Sequence, residues 1–183
     1  MNKKIFIVII GLSCCFSACS DWVDVKTKGS LVPEETENYR YLMNNTENFR
    51  WTLSYHDVAS DDIDISDPAQ QEAIYETNKF IPVYTWADEI YSQSENDDEM
   101  NKVYQVIYNC NVVIDEVMDS KNGTNEEKLE IRAEALVHRA EAYLTLVNVY
   151  GVPYNAATAS TDQGVPLLTT PRVEGSLPRA SVE

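Results

Sequence analysis

Apolar residues recur at alternating spacings of three and four along two stretches of the chain, and each stretch predicts a helix. Met100, Val103, Ile107, Cys110, Ile114 and Val117 share one face, which predicts a helix from about Asp98 to Met118. Lys121-Asn122-Gly123 then breaks the pattern, and Thr124 with Glu127 three residues later forms a capping box that starts a second helix. The stripe of that helix runs Leu129, Ala133, Leu136, Ala140, Tyr143, Val147 and Tyr150, until Gly151 and Pro153 end it. So short a turn predicts an antiparallel hairpin. Ala133 and Ala140 are small enough to admit a neighbouring backbone. Ala135, Ala142, Leu146 and Val149 lie on another side of the same helix, so it is apolar on two faces and is expected to be sandwiched between neighbours.

Upstream the pattern is weaker. Tyr39, Leu42 and Met43 predict a short helix near Glu35 to Asn45. From Thr46 to Asp98, Phe49, Trp51, Tyr55, Tyr75, Phe80, Tyr84, Trp86 and Tyr91 are set among acids, with prolines at 68 and 82. That stretch reads as loops and short helices laid over a core, so the fold class is mainly α, a helical hairpin scaffold with long irregular loops. The N-terminus has another character: Lys3 and Lys4 precede an apolar run, Ile5 to Phe16, too short to span a bilayer, which reads as an export signal. Phe16-Ser17-Ala18-Cys19 resembles the bacterial lipobox, which implies cleavage before Cys19 and a diacylglyceryl thioether on its sulfur. The alternative is an ordinary secreted protein cut near Ala18 with Cys19 unmodified. The chain thus divides into a signal at 1–18, a lipidated tether at 19–33 and a helical domain at 34–183.

Charge narrows the ligands. Fourteen Lys and Arg face thirty Asp and Glu, a formal charge of −16, and loss of Lys3 and Lys4 with the signal takes it to −18. Such a surface repels nucleic acid and anionic headgroups, and favours neutral ligands or divalent cations. A hydrophobic fraction of 44% with eleven tyrosines is rich enough for one folded globular unit. Removing the signal and acylating Cys19 would leave only Cys110 as a free thiol, which excludes an intrachain disulfide. On its apolar stripe Cys110 reads as an inert core residue.

Catalytic patterns are missing: there is no Gly-rich phosphate loop, HExxH, paired CxxC or GxSxG, so the sequence speaks against an enzyme and implies no cofactor. His138 stands four residues after Glu134, the spacing of a helix surface contact, and His56 beside Asp57 has no nucleophile at a recognisable distance in sequence. The most ligand-like stretch is the loop holding Asp57, Asp61, Asp62 and Asp64, because carboxylates accept hydrogen bonds from sugar hydroxyls while aromatic rings cover a sugar's apolar face. A solvated acidic loop is the alternative. Asp62, Asp64 and Ser66 are spaced like the start of an EF-hand, but Asp67 stands where the motif needs glycine, so no calcium site is expected. Trp86 either stacks on a sugar or fills the core under a loop, the latter being the commoner fate of a tryptophan.

Asp21-Trp22-Val23-Asp24-Val25 after the cysteine, Tyr104 to Ile114 with Asn111, Ala133-Glu134-Ala135, Arg139-Ala140, Tyr143, Tyr150-Gly151-Val152-Pro153 and Gly164-Val165-Pro166-Leu167 occur in that order. Together they resemble the SusD/RagB family. The resemblance implies a lipoprotein of the Bacteroidetes outer membrane, with Asp21 and Asp24 similar to the tag that directs such proteins to the cell surface. It also implies a scaffold of tetratricopeptide-like hairpins. As implied partners, an oligosaccharide or polysaccharide would contact the loops, part of the glycan surface falling near Asp61 and Asp62, and a SusC-like TonB-dependent transporter would lie beneath. Family members are longer, so this chain is expected to correspond to their N-terminal portion, the remainder covering the second apolar face of the long helix. A lipid-anchored helical-repeat scaffold that holds a protein partner and has no sugar site is the alternative function.

Overall fold

Local capping sets the ends of the helices in the computed structural model, which describes residues 33–51, 53–77, 80–92, 94–171 and 177–183. The expected signal and the proposed anchor Cys19 lie outside these residues. Among them the helices are α1 (Thr36–Asn44), α2 (Thr46–Phe49), α3 (Tyr55–Val58), α4 (Pro68–Thr77), α5 (Ile81–Tyr84), α6 (Asp98–Glu116) and α7 (Asn125–Tyr150), followed by strands β1 (Gln163–Pro166) and β2 (Arg179–Ser181). The fold is mainly α, as the sequence predicts. The Asp97 carboxylate accepts from the Met100 amide at 2.9 Å and opens α6, with Asp98 and Glu99 in the favourable first turn. For α7 the predicted capping box is complete, Thr124 N donating to Glu127 Oε2 at 2.7 Å and Glu127 N to Thr124 Oγ1 at 3.2 Å.

The two long helices run antiparallel. Asp97 at the start of α6 meets the Tyr150 hydroxyl at the end of α7 (2.7 Å), while Asn111 midway along α6 meets Arg139 midway along α7 (2.7 Å). The α6 face is broad: Val103, Val106, Ile107, Cys110, Val113 and Val117 are all buried. On α7, however, the fully buried residues are Ile131, Ala135, Ala142 and Leu146, and of the predicted stripe only Tyr143, Val147 and Tyr150 pack, half-buried, against the core. Leu129 and Leu136 are 48% and 41% exposed, and Ala133 and Ala140 face water. The sequence offers two apolar faces, and the alanines that admit α6 are Ala135 and Ala142, so the choice is made by tertiary packing rather than by the helix itself. Tyr39 and Met43 of α1 join Ile131 and Ala135 in one half of the core, and Leu53 and Val165 join Ala142 and Leu146 in the other.

A strap unforeseen from the sequence closes the hairpin. β1 pairs antiparallel with β2, and Gly164 is required there because a Cβ would stand 2.9 Å from the Ser181 carbonyl oxygen. Tyr104 donates to the Pro166 carbonyl (2.8 Å), Tyr143 exchanges bonds with both backbone groups of Leu168 (2.8 and 2.6 Å), and Asn111 donates to the carbonyls of Leu168 (3.0 Å) and Thr170 (3.3 Å). Asn111 is 1% exposed, and its oxygen is satisfied by Arg139, so the buried amide costs little. Cys110 lies beside this contact, and burial pushes its thiol up to about 11, as an inert core cysteine requires.

At the other end α1 is sewn to the turn between the long helices. Thr36 N donates to the Lys121 carbonyl (2.9 Å), Lys121 N to that of Glu34 (2.8 Å), and the Thr36 hydroxyl to that of Asn122 (2.8 Å). Gly123 adopts φ 67°, and a Cβ would stand 2.7 Å from the Thr36 side chain. Substituting Gly123→Ala therefore combines a left-handed backbone with a clash, and is expected to cost about 1–3 kcal/mol, read as a lower urea midpoint with an unchanged slope.

Buried tyrosines hydrogen-bonded to carboxylates give a second expectation. Asp97 also accepts from Tyr55 (3.0 Å), whose hydroxyl in turn bonds to that of Tyr91, while Tyr39 donates to Glu116 (3.0 Å). Burial first, then the neighbouring carboxylates, raise Tyr39, Tyr91 and Tyr150 well above the ordinary 10.0. A raised folded value means that their contribution is fully present below pH about 10 and is lost as pH rises beyond it. Thermal melts should hold level up to that point and fall above it, with a shallower fall in Tyr150→Phe.

Candidate functional site

α5 is only four residues long, and the chain leaves it through Trp86 in the left-handed conformation, φ 53°. The amides of Thr85, Trp86 and Ala87 return to the carbonyls of Ile81, Val83 and Pro82 at 2.9, 3.2 and 2.9 Å, which makes Trp86 the residue after a helix C-cap where glycine is usual. An L-residue pays about 1–2 kcal/mol for that conformation. The ring gains no packing in exchange, since Trp86 is 77% exposed. It does not fill the core, the commoner fate for such a residue.

Trp86 stands over a cleft of 580 Å³. Pro82, Val83, Ala87 and Ile90 supply apolar surface, α3 and the residue after it supply Tyr55, His56 and Ala59, and α7 supplies Thr145, Asn148 and Val149. α3 is held against α6, with the Ser54 amide donating to Glu99 at 2.9 Å and the Tyr55 hydroxyl to Asp97. A second cleft of 360 Å³ adjoins the first and shares His56 and Thr145 with it. Its lining includes Phe49, Trp51, Asp57, His138 and Glu141. There the Phe49 ring stacks on His138, centroids 4.3 Å apart and planes at 26°, and His138 lies between Glu134 at 4.0 Å and Glu141 at 3.9 Å. The Glu134 contact is the one expected from their spacing. A third hollow of 630 Å³, with Tyr75, Tyr91 and Glu95, adjoins the first through Pro82 and Ile90.

The site residues expected from the sequence fall into two groups. Trp86 lines the first cleft and Asp57 the second, and His56 lines both. Asp61, Asp62 and Asp64 stand exposed in the loop after α3 and line none of these hollows. That loop is folded back on α5 by a bond from the Ile65 amide to the Tyr84 hydroxyl (3.3 Å). Among the described residues no three His, Cys, Asp or Glu side chains gather as metal ligands would. Sequence reasoning passed over Thr145, Asn148 and Glu141 because they sit on a helix read as scaffold; Asn148, polar within the apolar run Leu144 to Tyr150, was the available signal. An exposed indole beside apolar surface, with hydroxyl, amide and imidazole groups around it, suits an uncharged polyhydroxylated ligand with an apolar C–H face.

No curated protein matches the chain. Residues 21–183 match a SusD-like family described as starch-binding associating with outer membrane. The match spans the whole described fold, both clefts included, and the mainly helical architecture agrees with the tetratricopeptide-like scaffold of that family. The chain belongs to this SusD-like family of starch-binding proteins that associate with the outer membrane.

Proposed function

We propose that this protein captures oligosaccharides at the cell surface and passes them to a SusC-like TonB-dependent transporter, held by a lipid on Cys19 after removal of residues 1–18. The observation that carries the reading is Trp86, an exposed aromatic kept in a backbone conformation that favours glycine. Strain of this kind persists where a side chain is needed for something other than stability. The indole offers the stacking face, and Asp57 accepts from sugar hydroxyls in the adjoining cleft. Asp61, Asp62 and Asp64 meet longer chains from the loop rim. Residues 19–33 are the tether and 34–183 the binding domain. No chemistry is performed on the glycan.

A second reading, a scaffold for a protein partner, is favoured by one observation, the open apolar face of α7 with Leu129, Leu136, Val137 and Leu144 all exposed. The two readings separate on Trp86. In affinity electrophoresis against starch and a panel of other polysaccharides, the intact protein should be retarded by at least one polymer. Trp86→Gly should lose that retardation, while its melting temperature stays equal or rises by a few degrees as the strain is relieved. Retention without Trp86, or uniform lack of retention, would favour the scaffold. Cys19→Ala should shift the protein from the membrane to the soluble fraction, and unchanged partitioning would remove the anchor from the account.

A further inference from the structure

Two adjoining clefts on one side of α7 raise the question of what a single ligand across both would be. They share two lining residues, His56 and Thr145, so a ligand passing from one cleft to the other crosses at these side chains. The α7 residues lining them run from His138 to Val149, about 16 Å of helix at 1.5 Å per residue. This is the reach of several linked sugar rings, not of one. Aromatic surface stands at both ends, Trp86 in the first cleft and the half-buried Phe49 and Trp51 in the second. Hydrogen-bonding groups lie between: Asn148, Thr145 and His56, then Asp57 and Glu141.

The second cleft also selects by charge. Asp57 and Glu141 line it with side chains 74% and 65% exposed, open enough to accept from hydroxyls, while Glu134 beside His138 is already paired with Arg40. Its cationic capacity is limited to His56 and His138, each already beside carboxylates. An anionic sugar would meet repulsion there, on a chain whose overall charge is −16.

Resting on the glycan-capture reading, we propose that the Phe49–Trp51–Asp57–Glu141 cleft is an extension subsite for the Trp86 cleft. One linear, uncharged oligosaccharide occupies both, crossing at His56, and the site thereby selects chain length and rejects acidic glycans. Calorimetry on the full chain tests this, using linear oligosaccharides of increasing length cut from starch and from any other polymer the panel retains, with polygalacturonate as the acidic probe. Affinity should rise about tenfold between the shortest ligand bound and the length that fills both clefts, then level off. Glu141→Ala should erase most of that gain and leave the shortest ligand's affinity unchanged, while both circular dichroism and melting stay near those of the parent. Flat dependence on length, a gain that survives Glu141→Ala, or tight binding of polygalacturonate would overturn the subsite while leaving capture by Trp86 intact. Failure of every oligosaccharide to bind the parent protein would overturn both.

Discussion

The close approach of α6 to α7 is the constraint on which the rest of the structure depends. It is possible because Ala135 and Ala142 present almost no side chain at the contact, and both are fully buried against the continuous apolar face of α6. Once the helices are this near, Asn111 and Arg139 meet across the gap, and Asn111 turns its donors outward to receive the strap at Leu168 and Thr170. The same approach sets the start of α6 beside the end of α7. Asp97 there gathers Tyr55 and Tyr150 and fixes α3, which in turn carries His56 and Asp57. The walls of both clefts are thus consequences of two alanines seven residues apart.

Against that well-packed frame, Trp86 stands out as a local contradiction. Along the hairpin turn and caps the chemistry of each residue agrees with its position: threonine caps, glycine occupies the tight turn at 123, and buried amides are paired. At 86 the backbone favours glycine and the side chain is bulky and wet. Foldable sequences depart from such consistency mainly at sites of function, which is why one torsion angle weighs more here than the cleft's dimensions.

The helix ends were legible because capping is local. Thr124 with Glu127 announces α7 from four residues, and α6 begins at Asp98, where periodicity placed it. Which face of α7 turns inward was not legible, since Leu129–Ala133–Leu136–Ala140 and Ile131–Ala135–Ala142–Leu146 are both apolar and only packing with α6 and α1 distinguishes them. β1 and β2 were invisible: each is too short for a period to show, and one holds Gly164 and Pro166. Of the site, the residue types were legible and their neighbourhood was not. Asp57 and Trp86 lie far apart in sequence and come to clefts that share His56 because α3 is tied to α6, whereas Asp61, Asp62 and Asp64, alike in sequence to Asp57, stand exposed in a loop that lines none of the clefts.

The open apolar row on α7 bears on how sugar binding is to be measured. Four exposed large aliphatic side chains along one helix are a colloidal hazard in water, and chains that cluster through them become multivalent. A clustered preparation would grip a polymeric glycan by avidity, through many weak contacts at once, and would return an apparent affinity that belongs to the aggregate. Short soluble oligosaccharides engage one chain at a time, so for this protein the small ligand is the more faithful probe of the site.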